Sequence, residues 1–252
     1  MSNADIEIRD LTKRYVAHRG MTVEAIRKMD LTVAAGEFLA IVGPSGCGKS
    51  TLLHLVAGLE QPSSGSILIG GTAPSGLVRR HRLGIAFQDS ALLPWLNVRA
   101  NLALPFKLAG VAVDEGKIRS LIELVGLQGF EAVRPSQLSG GMRQRAAIAR
   151  SLCLDPDILL LDEPFGAVDA VTRRRLNIEL ERIWQGRAIT TLLVTHSVEE
   201  AIFLSDRTIV MEKPGAIAQV VQVPFARPRS PELLRRDEFH RLTDQITVWL
   251  EH

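Results

Sequence analysis

Apolar and polar residues alternate with period two in three stretches near the start of the chain, Ile6-Glu7-Ile8-Arg9, Val23-Glu24-Ala25-Ile26 and Asp30-Leu31-Thr32-Val33. Successive side chains of a strand point to opposite faces. The pattern therefore predicts half-buried strands over residues 4–41, in a small antiparallel layer that leads into a first core strand. A second kind of run is apolar almost throughout: Phe38-Leu39-Ala40-Ile41-Val42, Leu83-Gly84-Ile85-Ala86-Phe87, Ile158-Leu159-Leu160-Leu161 and Ile189-Thr190-Thr191-Leu192-Leu193-Val194-Thr195. Strands apolar on both faces belong inside a mostly parallel sheet covered by helices. Ser66-Ile67-Leu68-Ile69 reads as a further strand between two turns. Thr208-Ile209-Val210-Met211 and Ile217-Ala218-Gln219-Val220-Val221 flank Lys213-Pro214-Gly215-Ala216 as a β-hairpin.

Residues 89–152 change to helical spacing, predicted over 97–108, 115–125 and 142–152, with Pro94, Pro105, Gly110, Gly126, Gly129 and Pro135 as breakers. This is a helical insert within an α/β core. Inside it Leu92-Leu93-Pro94-Trp95-Leu96 is unusually apolar for a loop, and either packs internally or forms part of an exposed patch for a partner. Residues 205–252 read as the hairpin plus a last helix, with Ser230 as N-cap, Pro231 at the first helical position, and Phe239, Leu242, Ile246 and Trp249 forming a core-facing stripe.

The stretch Gly43-Pro44-Ser45-Gly46-Cys47-Gly48-Lys49-Ser50-Thr51 fits G-x-x-x-x-G-K-[ST], with an apolar strand before it and a helix-type pattern after it. Glycines at 43, 46 and 48 let several backbone N–H groups converge on one anion, and the following helix adds the positive end of its dipole. Lys49 supplies a mobile charge for terminal phosphates, and Ser50 a hydroxyl for Mg²⁺. The expected fold is thus α/β: a P-loop NTPase core with a mostly parallel sheet, an N-terminal antiparallel β layer and an inserted helical subdomain.

Other candidates follow from their places at strand ends. The apolar strand ending at Leu161 stops on Asp162-Glu163, two carboxylates that are costly there unless a cation or polar ligand uses them. Asp162 would hold Mg²⁺, and Glu163 would orient and deprotonate an attacking water. His196 ends the next strand and is expected to sense phosphate by hydrogen bonding. Gln88 ends another, where it either reaches a metal or water or is a satisfied loop amide. Ser139 is a good N-cap, and Gly140 and Gly141 leave helix-start N–H groups open, as an anion site or as a cap alone. Tyr15, in the loop-like stretch between the first two strands, either stacks on a base or packs at an edge.

Composition narrows the field. The chain has 252 residues, 46% hydrophobic and 23% charged, with a net charge of +2, which fits a soluble globular protein and gives no basic field for a nucleic acid partner. Arg79-Arg80-His81-Arg82 reads as a solvated face. Neither a signal-peptide pattern nor an apolar run of about 18 residues occurs, so the expectation is a cytoplasmic chain that does not itself span a membrane. Cys47 and Cys153 make no metal or disulfide framework and read as reduced and structural; as a second reading, a helix N-terminus tends to lower a thiol pKa, which would expose Cys47 to oxidation or alkylation.

With these pieces in order the chain resembles the ATP-binding cassette (ABC) transporter ATPases over nearly its whole length. Residues 43–51 look like Walker A, Gln88 the Q-loop, Leu138-Ser139-Gly140-Gly141-Met142-Arg143-Gln144 the signature, residues 158–163 Walker B and His196 the switch histidine. The resemblance further implies that Phe165-Gly166-Ala167-Val168-Asp169 is the D-loop, with Asp169 at a dimer seam, and that Tyr15 stacks on adenine. Val168 stands where leucine is commoner. It implies ATP and Mg²⁺ as cofactors, with Ser50, Gln88 and Asp162 at the metal. The implied partners are a second ATPase subunit, in a homodimer or a heterodimer, whose residues 139–141 cover the γ-phosphate, two integral membrane permease subunits and an extracytoplasmic solute-binding protein. The chain would then sit at the cytoplasmic face of the membrane. Leu92-Leu93-Pro94-Trp95 and Arg227-Pro228-Arg229-Ser230 are similar to cassettes of nitrate, sulfonate and taurine importers, and imply import of a small anionic solute. Two rivals are a soluble ABC-type ATPase, which would normally carry two cassettes or a long coiled-coil insert, and a P-loop kinase, which would have no use for residues 138–141. The residues do not single out one solute.

Overall fold

The structure, a computed structural model, describes residues 4–16, 22–166, 168–185 and 189–251. Ala167 of the expected D-loop lies outside them. β1 (Ile6–Val16) pairs antiparallel with β2 (Thr22–Val33) on one side and β4 (Ser64–Ile69) on the other. The alternation in sequence becomes alternation in burial: Ile6, Ile8, Leu11, Ile26, Met29 and Val33 are buried, while Arg9, Lys28 and Asp30 face water. The segments around Val23 and Asp30, expected as separate strands, are one. Register shifts opposite Leu11 and Lys13 absorb the break in alternation between them. Tyr15 lies inside β1, opposite Val23, and not in a loop.

The second sheet comprises β3 (Phe38–Val42), β5 (Leu83–Ala86), β6 (Ile158–Asp162), β7 (Thr190–Val194), β8 (Arg207–Glu212) and β9 (Ala216–Gln222). Their order is β5-β6-β7-β3-β8-β9, parallel except for β9, which closes the hairpin with β8. Every residue of β3, β6 and β7 is buried, as their unbroken apolar runs require. One core, around Leu39, Ile41, Leu52 and Leu53, fills the space between the two sheets on either side of α1 (Lys49–Val56). The other gathers the opposite sheet face, α6 (Ala170–Gln185), α7 (Val198–Leu204), α8 (Asp237–Glu251) and the insert. Two apolar layers against one central sheet leave its strand ends as the natural place for polar chemistry.

Between them, α2 (Pro74–Arg79) is a short helix that buries Leu77, and the insert holds α3 (Val98–Leu108), α4 (Glu115–Leu124) and α5 (Gly140–Ser151). Asn97 caps α3 by accepting from the Ala100 N–H at 2.8 Å. Fully buried Asn101 accepts from the Leu93 N–H and donates to the Leu93 and Leu96 carbonyls, which orders the apolar loop. Within that loop Leu92 packs inside, while Trp95 is 66% exposed. Ser230 and Pro231 begin a 3₁₀ turn (Pro231–Arg235) and not the last helix, because Arg236 is extended and α8 starts only at Asp237. The stripe behaves as expected, with Phe239 and Ile246 buried and Leu242 and Trp249 packed beside them.

Candidate functional site

The loop between β3 and α1 curls around its own backbone. Gly48 has φ 101, and a Cβ there would meet the Ala25 carbonyl oxygen at 2.3 Å; a Cβ on Gly43 would meet Cys47 Sγ at 2.6 Å. Only glycine fits either place. Buried Lys49 donates from Nζ to the Gly43 carbonyl at 2.7 Å and the Pro44 carbonyl at 3.1 Å, so its ammonium sits inside the loop's curve. Pro44, Ser45, Gly46 and Ser50 are exposed around it, and Thr51 follows on α1. Cys47 is fully covered, and burial, the largest influence, pushes its thiol pKa up. Desolvation outweighs the lowering influence of the Lys49 charge, which agrees with the structural reading of Cys47 and not with a reactive thiol.

Acidic groups arrive from β6. The Ser50 hydroxyl donates to Asp162 Oδ1 at 3.1 Å. Burial holds the Asp162 carboxyl above its ordinary range, against the lowering effect of the Ser50 hydrogen bond. A hydroxyl and a carboxylate oxygen this close are hard donors of the kind Mg²⁺ takes alongside waters and phosphate oxygens. Glu163 follows with φ 44, a left-handed conformation that costs a side-chain-bearing residue about 1–2 kcal/mol. Its N–H donates to the Val194 carbonyl at 2.8 Å, and its own carbonyl accepts from Gly166 N–H at 3.1 Å. This kink turns the chain out of the sheet and puts the carboxylate beside the loop.

Two further strand ends meet that carboxylate. Gln88, two residues past the end of β5, donates from Nε2 to Glu163 Oε2 at 3.1 Å. His196, two past β7, brings Nδ1 to 3.4 Å from the same oxygen. Both residues beside His196 are tied down: the Thr195 hydroxyl donates to buried Glu200, and the Ser197 N–H donates to the Thr195 hydroxyl at 3.0 Å. A cleft of about 430 Å³ opens over Gln88 and Glu163, lined also by Ser45, Gly46, Lys49 and Ser50; Asp162 and His196 stand behind this lining and not in it. Val23, Glu24 and Ala25 of β2 complete one wall; nothing in the sequence marked them.

The remaining candidates do not line the cleft, although Tyr15 adjoins it through Thr51 and Val23. The Tyr15 hydroxyl donates to Glu60 Oε2 at 2.5 Å, and Lys13 Nζ lies 4.8 Å from its ring centroid, which fixes a ring that is 37% exposed. Ser139 caps α5 by accepting from the Met142 N–H at 3.2 Å, and Ser139 is exposed while Gly141 is buried against Thr172 and Val168. None of residues 139–141 lines the cleft. Asp169 caps the start of α6, accepting from the Val171 and Thr172 N–H groups and the Thr172 hydroxyl, which hold its carboxyl below the usual range. The Arg79 to Arg82 cluster is exposed except for Arg82, which pairs with Asp157.

Residues 26–166 match the protein family described as ABC transporter. The nitrate import ATP-binding protein NrtD of Synechococcus elongatus is 45% identical over 231 residues, covering 89% of this chain and 83% of its own. The aliphatic sulfonates import ATP-binding protein SsuB of Bacillus thuringiensis subsp. konkukian is 40% identical and covers 98% of this chain and 96% of its own. The taurine import ATP-binding protein TauB of Pseudomonas aeruginosa is 44% identical, covering 83% and 80%. Among solved structures, the dimeric ATP-binding cassette MJ0796 in a post-hydrolysis state with ADP and Pi superposes with a TM-score of 0.79 at 28% identity, over 88% of this chain and all of that one.

Proposed function

The chain belongs to the ABC transporter family of ATP-hydrolysing cassettes, and on that premise we propose that it powers an importer for a small anionic solute of the nitrate, sulfonate or taurine kind. The observation that carries the site is the meeting of three strand ends on one oxygen, Glu163 Oε2, beside the Lys49 and Ser50 cradle. Residues 43–51 hold the phosphates through backbone N–H groups and Lys49. Ser50, Asp162 and the Gln88 amide oxygen would hold Mg²⁺, which would supply charge neutralisation at the phosphates. Glu163 accepts the proton of the attacking water, and Gln88 and His196 fix its carboxylate for that transfer. Tyr15, anchored at its hydroxyl by Glu60, offers its ring face to adenine.

Residues 139–141 lie outside the cleft, which fits a composite site: Ser139 and the exposed start of α5 in a second copy cover the γ-phosphate bound by the first, with Asp169 at the seam. Dimerisation of the related cassette MJ0796 supports this reading. Membrane subunits have a candidate seat. A groove of about 360 Å³ between the α1 end, β5 and α3 gathers the exposed apolar residues Leu59, Val78 and Leu108, and Trp95 adds a further exposed apolar group on the insert. No helix among the described residues is long and apolar enough to cross a membrane, so translocation requires such subunits.

The test is co-purification from native membranes in mild detergent, followed by identification of what accompanies the chain and what any extracytoplasmic partner binds. A multi-spanning permease and a binding protein loaded with a small oxyanion are expected. Ribosomes or DNA in place of a permease would refute the importer reading.

A further inference from the structure

We infer that Gln144 and Arg150, both on α5, are positioning residues for Gln88: they strap residues 87–91 to the helical insert and so set the distance from Gln88 to Glu163. Gln144 is 4% exposed and donates from Nε2 to the Gln88 carbonyl at 2.6 Å and, at longer range, to the Phe87 carbonyl at 3.5 Å. Arg150 donates from Nη1 to the Ala91 carbonyl at 2.8 Å and from Nη2 to the Ser90 carbonyl at 3.2 Å. These two side chains, about 9 Å apart along the helix axis, hold four loop carbonyls.

Gln144 Oε1 is buried with no hydrogen-bond partner among the described residues, so the amide serves through its donor end alone. Burial lowers the Arg150 pKa, and the loop carbonyls are what its guanidinium meets there. The consequence for the reaction is geometric. With the Gln88 carbonyl fixed to α5, its side chain leaves the loop toward Glu163 and reaches Oε2 at 3.1 Å. The same helix carries Ser139 at its start, so any shift of α5 moves the exposed cap and Gln88 together. A partner subunit engaging that cap would thereby adjust the geometry around Glu163.

This inference rests on the proposed role of Gln88. It is tested in the full chain with Mg-ATP by a double-mutant cycle. Gln144→Met keeps the side-chain volume and removes the orphaned oxygen. Expected are a kcat lowered about tenfold, a KM for ATP within about twofold of wild type, and no further loss when Gln144→Met is added to Gln88→Ala. Arg150→Lys keeps the charge but cannot span two carbonyls; its smaller loss should also vanish in the Gln88→Ala background, and it decides the question if Gln144→Met does not fold. Wild-type kcat in Gln144→Met, an equal loss in both backgrounds, or a KM that rises with the loss would overturn the strap. A fully active Gln88→Ala would instead remove the role of Gln88, and the strap with it.

Discussion

Replacing Glu163 by Gln changes one atom at the point where three strand ends meet. The amide oxygen still accepts from Gln88 Nε2, now at 3.1 Å, so the side chain stays in place. What disappears is proton affinity. A positioned general base contributes about 10²–10⁴ in rate, so kcat should fall by that factor, about 3–5 kcal/mol in the barrier. Binding should survive or tighten, because the contacts of Lys49 and Ser50 are untouched and the charge that helps raise the Asp162 pKa is gone. Glu163→Asp separates geometry from charge: it keeps the carboxylate but withdraws it by one methylene from Gln88 and His196, so kcat should also fall about 10². Single-turnover ATP hydrolysis measures the rate, and light scattering with ATP reports a trapped dimer. A Glu163→Gln variant that keeps more than about a tenth of wild-type kcat, or that stays monomeric with saturating ATP, would refute the assignment.

Gly48→Ala should cost about 2 kcal/mol or more and abolish ATP binding, since its Cβ meets the Ala25 carbonyl oxygen at 2.3 Å with φ 101; unchanged thermal unfolding and unchanged ATP titration would contradict this. The buried Glu200 carboxyl is pushed from 4.5 up to about 7, so the folded chain binds this proton more tightly than the unfolded one. Its contribution is complete below the unfolded value and is lost as pH rises through about 7, on the order of 3 kcal/mol. Glu200→Gln, neutral throughout, should flatten the dependence of Tm on pH between 4.5 and about 7, and a slope equal to wild type would count against that sign. Leu108→Glu places a charge on an exposed residue of the apolar groove, where stability should change by no more than about 0.5 kcal/mol. Co-purification of membrane subunits should drop sharply; undiminished recovery would move the docking surface elsewhere.

Much of this was legible because one-dimensional spacing carries it. Alternation fixed the edge layer and unbroken apolar runs fixed the parallel strands. The loop from Gly43 to Thr51 is recognisable because its chemistry is local: neighbouring N–H groups, one lysine and one helix start. Asp162, Glu163, Gln88 and His196 were visible because a polar residue ending an apolar strand is expensive without a use. The helix α6 escaped notice because Arg173-Arg174-Arg175 crowd its polar face, although Leu176, Leu180, Ile183 and Trp184 keep the helical spacing of a buried stripe. Only folding could decide the rest. The β6, β7 and β5 ends meet at Glu163 because the strand order puts β6 between the other two, and nothing local in sequence states that order. Tyr15 owes its place to Glu60, and Gln88 its carbonyl anchor to Gln144, 56 positions away. Cys47 shows the limit most directly: the helix N-terminus predicted a lowered thiol pKa, yet tertiary burial removed the water that the thiolate needs, and raised it.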